Sequence, residues 1–235
     1  NSTANALISI GASPVMAHAV EEVEEMVGLA SALVINIGTL SEKWIEAMHL
    51  AGKAAKKKGI PVILDPVGAG ATSLRTNASK SIIQEIKPEI IRGNASEILA
   101  IAQAGFTTKG VDSTASAEAA LDAAKDLAKS AGAVVSISGQ TDYITDGKEV
   151  VEISNGHPLM GKVTGTGCTA TALTAAFAGV NNNPFQAASE AMVVMGIAGE
   201  MAAEKADAPG TFYTRFVDAL YLVDDKQIKK RWKND

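Results

Sequence analysis

Four short apolar runs rich in β-branched residues recur along the chain: "ALVINIG" (32–38), "PVILD" (61–65), "EIIRG" (89–93) and "AVVSISG" (133–139). They alternate with segments patterned as helices. Runs this short and this apolar read as strands buried on both faces, and alternation with helices predicts a mostly parallel α/β sheet with helices on both faces. The helices predicted are "SPVMAHAVEEVEEMVGLA" (13–30), then 41–59, 74–87, 94–105 and 116–132. The first takes Ser13 as N-cap and Pro14 as its first helical residue, with Val20, Val23, Met26 and Val27 at helical spacing. "DYITDGKEVVEIS" predicts a hairpin around Asp146-Gly147. Beyond the Gly165–Gly167 loop the chain reads as mainly helical. With 47% hydrophobic but only 4% aromatic residues, the core must be built from Ala, Val, Ile and Leu. No linker divides the 235 residues, which suit a single domain.

Composition also narrows function. The formal net charge of -5 argues against a nucleic-acid partner. The longest apolar stretch, "MVVMGIAGEMAA", is shorter than the roughly 18 residues a membrane span needs, so no membrane partner is expected. One cysteine, Cys168, forms no internal disulfide, which fits a cytoplasmic location. The chain opens without Met and inside a patterned segment, so a short N-terminal segment is expected to precede it.

In such sheets ligands bind beyond the carboxyl ends of the strands. Asp65, Arg92, Asn94 and Ser138 stand at those ends. The most informative loop is "VTGTGCTATALTAAF" (163–177), which sets Cys168 directly after Gly165, Thr166 and Gly167 at a helix start. Backbone amides there can converge on an anion, and the helix adds its free N–H groups and positive dipole end. The dipole should lower the thiol pKa and make it a base or a nucleophile. His157, eleven residues upstream, is a possible nucleophile partner or simply a loop histidine. The alternative is a plain strand-to-helix turn with a packed cysteine. "GTGCTA" also matches G-x-G-x-x-A, but it lies late in the chain, and Gln186 stands where an acid belongs. No P-loop motif occurs. His18 and His49 read as helical surface or satisfied histidines.

"RGNASEI" places Asn94 and Glu97 three apart at a helix start, where both can face one point. Either they serve a hydrated Mg²⁺ beside phosphate, or they form an N-terminal capping box. Asp65 either holds metal through water or caps its turn. The lysines at 53 and 56–58 and the glutamates at 21, 22, 24 and 25 read as solvated faces.

Taken in order, "ANALISIGASPVMAHA", "DPVGAGAT", "IRGNASEI", "AVVSISGQTDYITDG" and "KVTGTGC" resemble the hydroxyethylthiazole kinases of thiamine salvage over nearly the whole chain. The resemblance implies a ribokinase-like fold, ATP and Mg²⁺ as cofactors, and a homotrimer with sites between subunits. It implies transfer of the ATP γ-phosphate to the primary alcohol of 4-methyl-5-(2-hydroxyethyl)thiazole. By motif, Met16 and Gly165 would contact the thiazole, and Arg92 and Ser138 the ATP. Asn94 and Glu97 would be the metal and phosphate pair, with Asp65 a further metal candidate. Cys168 would stand where related kinases carry an aspartate base. Rival readings are a kinase for another small alcohol such as hydroxymethylpyrimidine, a non-catalytic ligand sensor, and a cysteine hydrolase using Cys168 and His157.

Overall fold

The computed structural model describes residues 1–105 and 120–233. All four predicted strands form: β1 (Leu33–Asn36), β2 (Val62–Asp65), β3 (Ile90–Asn94) and β4 (Val134–Ser138). They pair in parallel in that order. The predicted hairpin supplies β5 (Asp142–Thr145) and β6 (Val150–Ile153), which extend the sheet antiparallel from β4. The helices are α1 (Ser2–Ser9), α2 (Val23–Leu29), α3 (Glu42–Lys58), α4 (Ser73–Ile86), α5 (Ala95–Gln103), α6 (Leu121–Ala131), α7 (Thr166–Ala178), α8 (Pro184–Ala203), α9 (Pro209–Leu222) and α10 (Asp225–Arg231). A 3-10 helix, Pro158–Lys162, precedes α7.

Strand side chains alternate between the two faces, and each face has its own core. Val62, Leu64, Ile91, Val135 and Ile137 join α2 to α6 in one cluster. Ile63, Ile90, Val134 and Ile144 join α1, α7, α8 and α9 in the other. Ile63 and Leu64 are fully buried on opposite faces, each worth about 1.5–3 kcal/mol. Helix α3 starts where expected: Ser41 Oγ accepts from Trp44 N at 3.3 Å.

Two predictions fail near the N-terminus. Residues 13–19 are not helical, and the helix begins only at Val23, so Ser13 and Pro14 cap nothing. The reason is tertiary. Helix α1 packs in the layer of α7, whereas α2 packs in the opposite one. The intervening chain must cross between layers, and it leaves Val15 and Met16 exposed at 53% and 71%. Apolar periodicity stabilises a helix only where a core receives it; Val23 and Val27 meet theirs. His18 consequently lies outside any helix, its ring centroid 5.0 Å from that of Trp44. Helix α1 (Ser2–Ser9) is an element that the sequence pattern does not predict. The first part of the predicted helix 116–132, residues 116–119, lies outside the described residues; its remainder forms α6.

Candidate active site

The carboxyl ends of the strands come together as the parallel register demands. Asn36 is the sheet partner of Asp65, and Asn94 that of Ser138. Helix α7 packs over β1 and β2, bringing its N-terminus to the same edge.

Gly165 caps α7 with φ 85°, a left-handed conformation that disfavours any residue with a Cβ. The first bond of the helix ladder runs from Thr169 N to Gly165 O, at 2.9 Å. The N–H groups of Thr166, Gly167 and Cys168 therefore precede the ladder and form the anion-binding end of the helix. Thr166 Oγ1 is 3.0 Å from Val163 O and 3.1 Å from Met160 O, which ties this turn to the 3-10 helix. Beneath the loop lies Arg92, 7% exposed, whose Nη1 donates to Gly167 O at 3.0 Å. A Cβ on Gly167 would stand 3.1 Å from that nitrogen, so the glycine admits the guanidinium. Ser138 Oγ lies 3.5 Å from the Gly93 carbonyl, one residue from Asn94.

Cys168 is half-buried, and its sulfur accepts a hydrogen bond from Asn36 Nδ2 at 3.3 Å. The same nitrogen donates to Asp65 Oδ2 at 2.9 Å, and Thr171 Oγ1 donates to that oxygen at 2.8 Å. The expected lowering of the thiol pKa is not found. Burial pushes it up and the nearby Asp65 carboxylate pushes it further, while the Asn36 hydrogen bond and the Arg92 charge act in the other direction. A dipole is effective at a solvated helix end, but desolvation and a like charge outweigh it here. Asp65, only 2% exposed, is itself raised, chiefly by burial and against the pull of Arg92. The Cys–His pair does not form. His157 caps the 3-10 helix by accepting from Leu159 N at 3.3 Å, and its ring stacks on Phe212. His49 is satisfied on one side only: its Nε2 is 3.2 Å from Ser81 Oγ, while its buried Nδ1 makes no hydrogen bond, although Glu85 Oε2 lies 3.3 Å away.

Asn94 and Glu97 realise the capping box. Asn94 Oδ1 accepts from Glu97 N at 2.9 Å, and Glu97 Oε2 accepts from Asn94 N at 2.8 Å. Glu97 does more than cap: its Oε1 accepts from Gly68 N at 2.8 Å, joining α5 to the glycine loop after β2. Beside this joint opens a cavity of about 450 Å³ lined by Gly68, Ala69, Asn94, Ser96 and Glu97 among others. A cavity of about 490 Å³ lies elsewhere, near Glu89, Lys129, Val134 and Lys148, and includes none of the predicted residues. Among the described residues no three His, Cys, Asp or Glu side chains cluster as a metal cage. A carboxylate and an amide lining this cavity fit a cation that keeps most of its water, as Mg²⁺ does.

The structure thus gathers Asp65, Arg92, Gly165, Thr166, Gly167 and Cys168 at one edge, with Asn94, Glu97 and Ser138 along it. Met16 stays exposed in the 12–19 crossing. The sequence reading missed Asn36 and Thr171. A polar residue closing the apolar run "ALVIN" was the available signal for Asn36; Thr171 gave none beyond helical spacing from Gly167. It also missed Asp142, whose carboxylate accepts from Gly139 N at 2.9 Å. Burial raises the pKa of Asp142 to about 6 against the lowering effects of that bond and Arg92.

Known proteins resemble this chain in sequence and in fold. A family model described as the hydroxyethylthiazole kinase family matches residues 1–226. A hydroxyethylthiazole kinase of Leptospira biflexa is 56% identical over 98% of this chain and 86% of its own length. One from Thermoanaerobacter pseudethanolicus is 52% identical over 98% and 88%. The solved structure of a hydroxyethylthiazole kinase protein from Pyrococcus horikoshii OT3 superposes with TM-score 0.91 at 42% identity, covering 99% of this chain and 87% of that one. Pyridoxal kinase of Staphylococcus aureus in complex with AMP-PCP and pyridoxal, 16% identical with TM-score 0.60, shares the fold, over 85% of this chain and 81% of that one. The fold is ribokinase-like, and the chain belongs to the hydroxyethylthiazole kinase family.

Proposed function

We propose that this protein transfers the γ-phosphoryl group of ATP to the hydroxyl of 4-methyl-5-(2-hydroxyethyl)thiazole, forming the thiazole phosphate and ADP in thiamine salvage. The observation that carries the reading, beside family membership, is the placement of Cys168 at the helix end that presents free N–H groups. The substrate oxygen attacks the γ-phosphorus as the bond to the ADP oxygen breaks, and the hydroxyl proton leaves to the Cys168 sulfur in its thiolate form. The Thr166, Gly167 and Cys168 amides stabilise charge on the transferring group; one such donor is worth roughly 10²–10³ in rate. A base contributes about 10²–10⁴. With the thiol pKa raised, Cys168 supplies the low end, and positioning and electrostatics dominate, as expected for a loose transition state.

Glu97 and Asn94, which line the cavity, would hold a Mg²⁺ through its water, whereas Asp65, only 2% exposed and turned to Asn36 and Thr171, serves the thiol instead. When bound, the cation neutralises phosphate charge. Arg92 and Ser138 contact the nucleotide, and Met16 and Gly165 the thiazole. Met16 is 71% exposed within one chain. An apolar side chain so placed suits a pocket completed by a second copy, in a homotrimer. Among the described residues no helix is long and apolar enough to cross a membrane, and we place the protein in the cytoplasm. The test is ADP release on mixing protein, ATP and the thiazole alcohol, with and without Mg²⁺. Hydroxymethylpyrimidine as the better acceptor, or thiazole binding without ADP, would overturn the assignment.

A further inference from the structure

We propose that Asn36 is a positioning residue for this phosphoryl transfer: its amide, locked in orientation, holds the Cys168 sulfur as an acceptor and links it to Asp65. The inference rests on the kinase reading. Asn36 ends β1, 132 positions before the cysteine it touches.

Its orientation is set by hydrogen-bond logic and needs no assumption about which amide atom is which. Gly38 N lies 2.8 Å from one amide atom and requires an acceptor there, so that atom is Oδ1. Nδ2 then faces Asp65 Oδ2 and Cys168 Sγ, two hydrogens for two acceptors. A flipped amide would set its oxygen against a carboxylate and its NH₂ against an N–H.

The turn behind it cannot drift. Arg75 donates to Ile37 O at 3.1 Å, Val67 O at 2.6 Å and Gly38 O at 2.9 Å. A Cβ at Gly38 would fall 2.8 Å from Asn36 Oδ1, so only glycine permits the bond. Asp65 is anchored from the other side by Thr171, on the same helix as Cys168. Asn36, Asp65, Thr171 and Cys168 therefore close a ring across β1, β2 and α7. With one donor fixed against it, the thiolate sulfur keeps its remaining lone pairs to accept the proton of the substrate hydroxyl.

The charged groups acting on the thiol are Asp65, which opposes the thiolate, and Arg92, which favours it. Without Asn36 the sulfur loses the only side-chain donor it has among the described residues and keeps the Asp65 charge.

The experiment measures alkylation of Cys168 by iodoacetamide against pH, with kcat, KM and melting temperature. The pH midpoint is read, because the plateau rate also reports access. For Asn36→Leu the midpoint should rise by about one pH unit, a roughly tenfold lower rate at fixed neutral pH. The kcat should fall while KM for ATP stays within about twofold, since Arg92 and Ser138 are untouched. A role in packing alone predicts a lower melting temperature with an unchanged midpoint, and that result overturns the proposal. Asn36→Asp keeps the acceptor for Gly38 N but removes both donors, and covers failure of the Leu variant to fold. A folded Asn36→Asp with wild-type midpoint and kcat also overturns it. Because alkylation needs no turnover, a shifted midpoint in a protein that forms no ADP would locate the failure in the kinase reading.

Discussion

Glu97 offers the sharpest separation between architecture and chemistry, because the structure gives it two backbone hydrogen bonds whatever else it does. In Glu97→Ala the N–H groups of Asn94 and Gly68 lose acceptors that now stand at 2.8 Å. A hydrogen bond to a charged group is worth about 1.5–3 kcal/mol when buried. Helix-cap bonds open to water run about 0.5–2 kcal/mol. Glu97 is partly exposed, so the pair together cost about 3 kcal/mol, roughly 6–12 °C in melting temperature for a chain this size. In Glu97→Gln one oxygen remains, and glutamine also closes capping boxes. That variant should lose only about 1 kcal/mol, roughly 2–4 °C. Activity should order differently. Both variants lack the negative charge that a hydrated Mg²⁺ requires, so both should lose at least about tenfold in turnover and need more Mg²⁺, with thiazole affinity nearly intact. The assay is ADP release against Mg²⁺ concentration, paired with thermal melts and thiazole titration. A stable Glu97→Gln enzyme with wild-type turnover and Mg²⁺ midpoint would refute the metal role and leave Glu97 as a cap and loop latch.

Cys168→Asp should keep substantial turnover, and Cys168→Ala should keep a residual rate from the loop amides. A well-folded but inactive Cys168→Asp, or a trapped phosphocysteine on the wild type, would count against a base. Because the thiol pKa is raised, wild-type kcat should climb with pH above the ordinary thiol range, and Cys168→Asp should lose that alkaline rise. Asp142 has a folded pKa raised from 3.8 to about 6. The stability it contributes is therefore present below its unfolded pKa and lost as pH rises through about 6. Asp142→Asn, which retains an acceptor for Gly139 N, should stabilise by ~1–2 kcal/mol at pH 7.5 after allowance for partial exposure, with no gain near pH 3.5, as melts at both values will read. Light scattering should find a homotrimer; an active monomer would remove the shared thiazole pocket.

Much of this protein is legible residue by residue. Buried parallel strands write themselves as short apolar runs, so β1 to β4 stand within a residue or two of their predicted bounds. A parallel sheet places its strand ends on one edge, so Asp65, Arg92, Asn94 and Ser138 were found as a set, and Gly165 to Gly167 announced the helix end by composition. What the linear pattern could not carry was competition between distant groups. The 13–30 segment has helical spacing throughout, yet only Val23 onward meets a core, because the chain must first cross from one layer to the other. Cys168 stands at a helix N-terminus as read, but its pKa is governed by burial and by Asp65, from another strand. Asn36 reads as one polar residue within an apolar strand run until the fold brings the thiol and the carboxylate within reach of one nitrogen. Local propensity and periodicity are properties of neighbours in sequence. Desolvation, charge pairing and hydrogen-bond orientation depend on which atoms share a small volume, and only the tertiary structure decides that.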